Sequence, residues 1–276
     1  MLGSLLIVFR EVMEAGLIVG IVLAATQGIP FRGRWIAGGI GAGVLGAGVL
    51  ALFAGALSQA LSGNGQDVFS AVILCLAVVM LSWHIIWMAR HGREMARDMK
   101  AVGAAVASGS RSLFAMAVVV AVAVLREGME VVLFLYGIAI SSGTGPVPML
   151  IGGVLGVLAG AGLSWALYRG LVVIPLNRLF AVTGLLVTFL AAGMASQAAA
   201  LLASDDLLPA LGYDIWDSSW LLSDGSMLGR AAKALFGYSD RPTGIQLLAW
   251  AGTCIVLTVM GHMVRHRPTA RVAQSS

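Results

Sequence analysis

Apolar runs of about 18 or more residues recur along almost the whole chain, and each is long enough to cross a hydrocarbon core roughly 30 Å thick as a helix. A membrane β-barrel would instead show short segments of alternating polarity, which this sequence lacks. The fold class expected is therefore an all-α integral membrane protein. Composition agrees, since only 11% of the residues are charged and the mean hydropathy is +0.94, where soluble globular chains carry about 25% charge. Reading the apolar runs against charged or Gly/Pro/Ser breaks gives seven transmembrane spans, near 2–26, 36–61, 67–90, 113–140, 148–169, 179–203 and 244–264.

The basic residues sort between these spans. Arg32 and Arg34 lie in the first loop; Arg90, Arg93, Arg97, Lys100 and Arg111 in the third; Arg169 and Arg178 flank the fifth; Arg265, Arg267 and Arg271 fill the tail. The second and fourth loops have none. Because cytoplasmic loops carry the excess of Lys and Arg, the N-terminus is expected outside and the C-terminus in the cytoplasm, with the chain in the inner (cytoplasmic) membrane. The formal charge of +4 thus reads as a topology signal and not as a nucleic-acid surface. The first run carries Arg10, Glu11 and Glu14 and has no basic n-region, so it reads as a first mature helix and not as a signal peptide. Cys75 and Cys254 sit within apolar runs, where a small hydrophobe is the expected role.

An internal repeat is visible. Phe9-Arg10-Glu11-Val12-Met13-Glu14 in the first span matches Leu125-Arg126-Glu127-Gly128-Met129-Glu130 in the fourth, and the second and fifth spans are the glycine-dense ones. The chain therefore divides into a first three-helix unit (1–112), a second (113–203), an external loop with an amphipathic segment (204–243), and a seventh helix with a cytoplasmic tail (244–276). Three is odd, so the two units insert in opposite senses, the inverted repeat common among transporters whose sites lie at the repeat interface.

Allocating every acid and base to loops or spans leaves six charges well inside the membrane: Arg10, Glu11, Glu14, Arg126, Glu127 and Glu130. A central charge costs on the order of 2.5–3.5 kcal/mol, so six facing lipid would cost roughly 15–20 kcal/mol. Within each motif the glutamates share a helix face, and the arginine precedes the second glutamate by four residues, within ion-pair reach. Four carboxylates against two guanidiniums leave a deficit of two positive charges, which a multivalent cation or bound protons must supply. Carboxylate oxygens suit hard cations. Iron is one candidate among several; proton relay by the glutamates and an ion-pair network without a ligand are the alternatives.

The paired motifs resemble the Arg-Glu-Gly-x-Glu signature of the oxidase-dependent iron permease family, which has fungal high-affinity and bacterial EfeU-type members. The likeness extends to Trp83-x-x-x-Trp87-Met88-x-Arg90 in the third span, Gly193-Met194-Ala195-Ser196-Gln197 in the sixth and Trp216-Asp217-Ser218-Ser219-Trp220-Leu221-Leu222 in the loop. It implies an iron path lined by Glu11, Glu14, Glu127 and Glu130 as metal ligands, with Arg10 and Arg126 orienting and balancing them. It also implies iron as the transported substrate, ferric favoured over ferrous, with no organic cofactor. An extracytoplasmic cupredoxin-like protein and a haem peroxidase or other ferroxidase would be the partners. Val12 departs from the pattern, standing where the family usually has glycine; valine there is expected to hinder close backbone approach and to make the half-sites unequal.

His84, Ser196 and Gln197 are secondary candidates for lining the path, with interhelical hydrogen bonding as the alternative. Met13 and Met129 read as core fillers. In the external loop, Asp205, Asp206, Asp214 and Asp217 are candidates for iron capture or partner docking, and the segment from Arg230 to Phe236 reads as an interfacial amphipathic helix. The rival functions are an intramembrane enzyme of the lipid pyrophosphate phosphatase type, another hard-cation or proton-coupled transporter, and a structural assembly subunit. An enzyme of that type would pair its acids with a phosphate-binding Ser/Arg cluster, yet both intramembrane arginines sit beside glutamates. A nucleotide-binding P-loop is absent from the loops. A homo-oligomer is compatible with all of these.

Overall fold

The computed structural model describes residues 1–60, 66–143, 145–170 and 176–265, and there the apolar runs become helices with bounds close to those read from the sequence. Eight helices and no strand occur among the described residues: α1 (Leu2–Ala25), α2 (Arg32–Ala60), α3 (Gln66–Ala107), α4 (Leu113–Ser142), α5 (Pro146–Tyr168), α6 (Leu176–Ser204), α7 (Met227–Phe236) and α8 (Gly244–Arg265). Five of them, α2, α3, α5, α6 and α8, are long and apolar enough to cross a membrane. The other two long helices, α1 and α4, have 24 and 30 residues and are the ones interrupted by the Arg-Glu-x-x-Glu charges. The tail with Arg267 and Arg271 lies outside the described residues, as do the side chains of Arg90, Arg93, Arg178 and Arg265.

Helix ends follow local chemistry. Ser112 caps α4 by accepting a hydrogen bond from the Ala115 amide at 3.2 Å, and Gly143 ends it at φ 58°. Pro146 opens α5, where a missing N–H costs nothing. One boundary differs from the sequence reading: the third helix does not stop near 90 but continues to Ala107, 42 residues in all. The continuation contains no proline, and its far end finds packing partners: Gly103 abuts Ala25, and Val106 joins an apolar cluster with Val22, Ile36 and Met116.

The two motif helices each lie along a glycine-rich partner taken from the other half of the chain: α1 packs along α5, and α4 along α2. α3 packs against α6, which also carries α8. The partner contacts recur position by position. A Cβ added at Gly156 of α5 would come within 2.8 Å of the Leu5 carbonyl and 2.9 Å of Val8 Cβ, and one added at Gly43 of α2 would come within 2.7 Å of the Ala121 carbonyl and of Val124 Cβ. Leu5 and Val8 stand to Arg10 as Ala121 and Val124 stand to Arg126. Glycine is needed at both places because the backbones touch.

The short helix α7 is amphipathic, as its sequence suggests, but it does not simply lie at an interface. It packs against α6, α1 and α4. Its C-cap Gly237 sits on the backbone of Gly193, and Phe189 contacts both Phe236 (5.7 Å) and Trp250 (6.0 Å), whose indole N–H donates to the Phe236 carbonyl at 2.6 Å. Gly193 lies 11 residues before the end of α6, so the end of α7 reaches about 16 Å down that helix. The loop that carries α7 is braced by polar groups. Asp224 accepts from Lys233 at 2.9 Å and from the Asp240 amide at 3.0 Å, while Asp240 accepts from the Asp224 amide at 3.1 Å.

Candidate functional site

Two apolar clusters fill the core. One joins Ile7, Leu81, Phe134, Ile138 and Met194, the other Val22, Ile36, Met116, Val120 and Val124. Along α1 the charged motif falls between Ile7 and Val22, and along α4 between Val124 and Phe134. The charges therefore occupy a polar layer between two greasy ones, close to the midpoints of both helices. Arg10, Glu11, Glu14, Glu127 and Glu130 are all buried.

The motif on α1 neutralises itself tightly. Arg10 donates to Glu11 at 3.1 Å and lies 2.9 Å from Glu14, and its side chain is 4% exposed. The motif on α4 does so loosely. Arg126 lies 3.4 Å from Glu130 and 3.9 Å from Glu127, its side chain is 35% exposed, and its guanidinium stacks 4.3 Å over the ring of Trp87. One face of the polar layer is thus sealed by a buried arginine, and the other ends at an arginine held by an aromatic ring on α3.

α3 supplies the link between the motifs. His84, 2% exposed, places Nε2 at 3.1 Å from Glu14 and Nδ1 against Glu130, one carboxylate from each motif. One ligand atom each from Glu11, His84, Glu127 and Glu130 lie within 4.8 Å of one another. Among the described residues no other such group of three or more His, Cys, Asp or Glu occurs. The second oxygens of Glu11 and Glu127 are buried with no hydrogen-bond partner, and a buried carboxylate oxygen so left calls for a cation or proton. Three carboxylates and an imidazole at separations of up to 4.8 Å would hold a metal at roughly 2.0–2.2 Å by closing on it by about 1 Å.

The other sequence candidates fall elsewhere. Ser196 is buried and Gln197 half-buried on α6, and neither hydrogen-bonds to the four glutamates or His84 among the described residues. Asp205, Asp206, Asp214 and Asp217 are exposed on the loop and do not converge. Asp217 accepts from the Ser219 hydroxyl at 2.6 Å and its amide at 2.9 Å and pairs with Arg241 at 3.0 Å; these contacts hold its carboxyl below the usual range. Met13 is fully buried packing, while Met129 faces outward at 43% exposure. Cys75 and Cys254 are free thiols.

Sequence reasoning named His84 only as a candidate to line the path and Trp87 only as part of a likeness, and the contacts of both with the motifs went unread. His84 enters the centre of the cluster, supplying from a third helix the histidine that the motifs lack, and Trp87, one turn on, holds Arg126. The signal available was that both lie on one helix face, three residues apart, at the end of an otherwise apolar run. The departure at Val12 also has its answer here. Val12 points at Gly160 of α5, whereas the matching Gly128 points at Ala47 of α2. The larger residue has changed sides, so the helix spacing is kept and the expected hindrance does not arise.

Comparison with known proteins gives a consistent picture. The model of the iron permease FTR1 family matches residues 1–265. The chain is 33% identical over 253 residues to a protein named ferrous iron permease EfeU from Escherichia coli O6:H1, covering 89% of each chain. It is 32% identical over 246 residues to one of the same name from Yersinia pestis, covering 86% of this chain and 85% of that one. No solved structure matches it.

Proposed function

The chain belongs to the iron permease FTR1 family, a family of transporters and not of enzymes, and from that premise we propose that iron crosses the membrane past Glu11, Glu14, Glu127 and Glu130, with Arg10 and Arg126 balancing their charge. The observation that carries the reading is the convergence of carboxylates from two helices at mid-depth, with buried oxygens left unsatisfied. An ion-pair lock would have no use for those oxygens, because a purely structural network is stable only when every member is paired.

Seven crossings, α1 to α6 and α8, follow once α1 and α4 are counted as spans despite their charges. The exchange of partners, α1 with α5 and α4 with α2, supports two inverted three-helix units. With the N-terminus outside and the C-terminus in the cytoplasm of the inner membrane, α7 and its loop stand on the external side above Arg10, and Arg126 with Trp87 faces inward. Iron would enter beneath α7 and leave past Arg126. Ferric iron made by an external cupredoxin-like or haem-peroxidase ferroxidase suits the carboxylates of the path, whereas the relatives are named for ferrous iron.

The test is uptake of radioactive iron by proteoliposomes of the purified protein, ferrous and ferric ions offered separately, with Glu14→Gln and Glu130→Gln as comparisons. Uptake of either ion by the wild type, abolished in both variants, supports the reading. Equal uptake by folded variants refutes it.

A further inference from the structure

We infer that His84 sets which ions this site accepts, admitting divalent transition ions such as ferrous iron in preference to magnesium and calcium. The inference rests on the permease reading and deepens it.

A site of four glutamates alone would be a poor discriminator. Magnesium and calcium are content with oxygen ligands, so a carboxylate cage offers them everything they need. An imidazole nitrogen changes the balance, since it suits iron, zinc, copper and nickel and adds little for the alkaline-earth ions. His84 is the one nitrogen ligand in the converging group, and it is placed by α3, outside both motifs. Its ring is 2% exposed and is held between the two motif helices, facing Glu14 on one and Glu130 on the other. Both ring nitrogens are aimed at carboxylates, Nε2 at Glu14 and Nδ1 at Glu130. A cation drawn to the unsatisfied oxygens of Glu11 and Glu127 arrives beside this ring, because all four ligand atoms lie within 4.8 Å.

A simple strut between α1 and α4 would also use a buried histidine, so the test separates the two roles. Purified protein in detergent is titrated with manganese, a redox-stable stand-in for ferrous iron, in competition with calcium. Pulsed electron paramagnetic resonance on the bound manganese then looks for nitrogen coupling from the imidazole. For the wild type we expect nitrogen coupling and a strong preference for manganese. His84→Asp keeps a ligand but makes it hard, and the preference for manganese over calcium should fall about tenfold or more with the nitrogen signal lost. His84→Gln, which preserves a polar bridge, should lose the preference as well; a strut would change the affinity for both ions together and leave their ratio alone. Wild-type manganese without nitrogen coupling, or an unchanged ratio in the variants, overturns the inference. Glu127→Gln and Glu130→Gln run alongside: manganese binding that ignores them sinks the permease site itself, a failure distinct from that of His84.

Discussion

Replacing Gly128 by valine should disrupt the contact between α4 and α2, and replacing Ala47 by glycine at the same time should restore it. A Cβ at Gly128 would come within 2.5 Å of Ala47 Cβ, whereas apolar carbons rest about 3.5–4.0 Å apart. The helices must part by about 1 Å, or the backbone must bend, and overpacking of this kind costs about 1–3 kcal/mol. Ala47→Gly removes the atom that is struck. The resulting valine-glycine pair is the one the chain already uses at Val12 and Gly160, where a built Cβ on Gly160 would lie 3.0 Å from Val12 Cβ. The coupling measured in a double-mutant cycle should therefore be about 1–2 kcal/mol in favour of the pair. Unfolding in detergent micelles measures the stability. Iron uptake in proteoliposomes follows the position of Glu127, which neighbours Gly128 and moves with it. A single variant as stable as the wild type, or a double variant no better than the single, would refute the claim that the two halves share one packing rule with the sizes exchanged.

Gln in place of Glu14 or Glu130 should abolish most iron uptake, and the loss should be largest when one glutamate is removed from each motif; the proteoliposome assay reads this directly. His84→Asp should leave manganese bound but with about a tenfold weaker preference over calcium, measured by competition titration. Trp87→Ala should remove the ring beneath Arg126, an interaction worth about 1–2 kcal/mol at a partly shielded site, and slow uptake, while Trp87→Phe should retain most of the rate. Trp250→Phe keeps the ring near Phe189 but takes the indole donor from the Phe236 carbonyl, costing about 0.5–1.5 kcal/mol; faster hydrogen exchange confined to α7 and the end of its loop would be the sign.

The helices were legible in the sequence as long apolar runs, and the four glutamates as a candidate site because lipid punishes charge, so six charges at matched positions in two such runs stand out. The glycines of the second and fifth spans were legible as packing faces, and Gly43 and Gly156 indeed meet the backbones of the motif helices. What escaped was set by the third dimension. His84 was read as a candidate to line the path and Trp87 as part of a likeness, but not their contacts with the motifs, because both lie far from either motif in sequence and reach it only where α3 crosses α1 and α4. Val12 looked like a defect because its compensating glycine, Gly160, belongs to a different helix. The extent of α3 was missed because a polar continuation reads as a loop when its packing partners, Ala25 and Val22, are not in view.

The polar layer is nearly symmetric in composition and unsymmetric in exposure, and the second property gives its two faces different surroundings. Here Arg10 grips both of its glutamates and is sealed in, whereas Arg126 grips its own at 3.4 and 3.9 Å, leans on Trp87 and is one-third exposed. The difference arises from the third member of each unit. α3 presents His84 and Trp87 to the cluster, while the corresponding stretch of α6 presents small residues around Ser196 and receives α7 instead. On the proposed path the two halves thus differ through a histidine and a tryptophan on one helix and a short wedge helix on the other, while the carboxylates of the two motifs match.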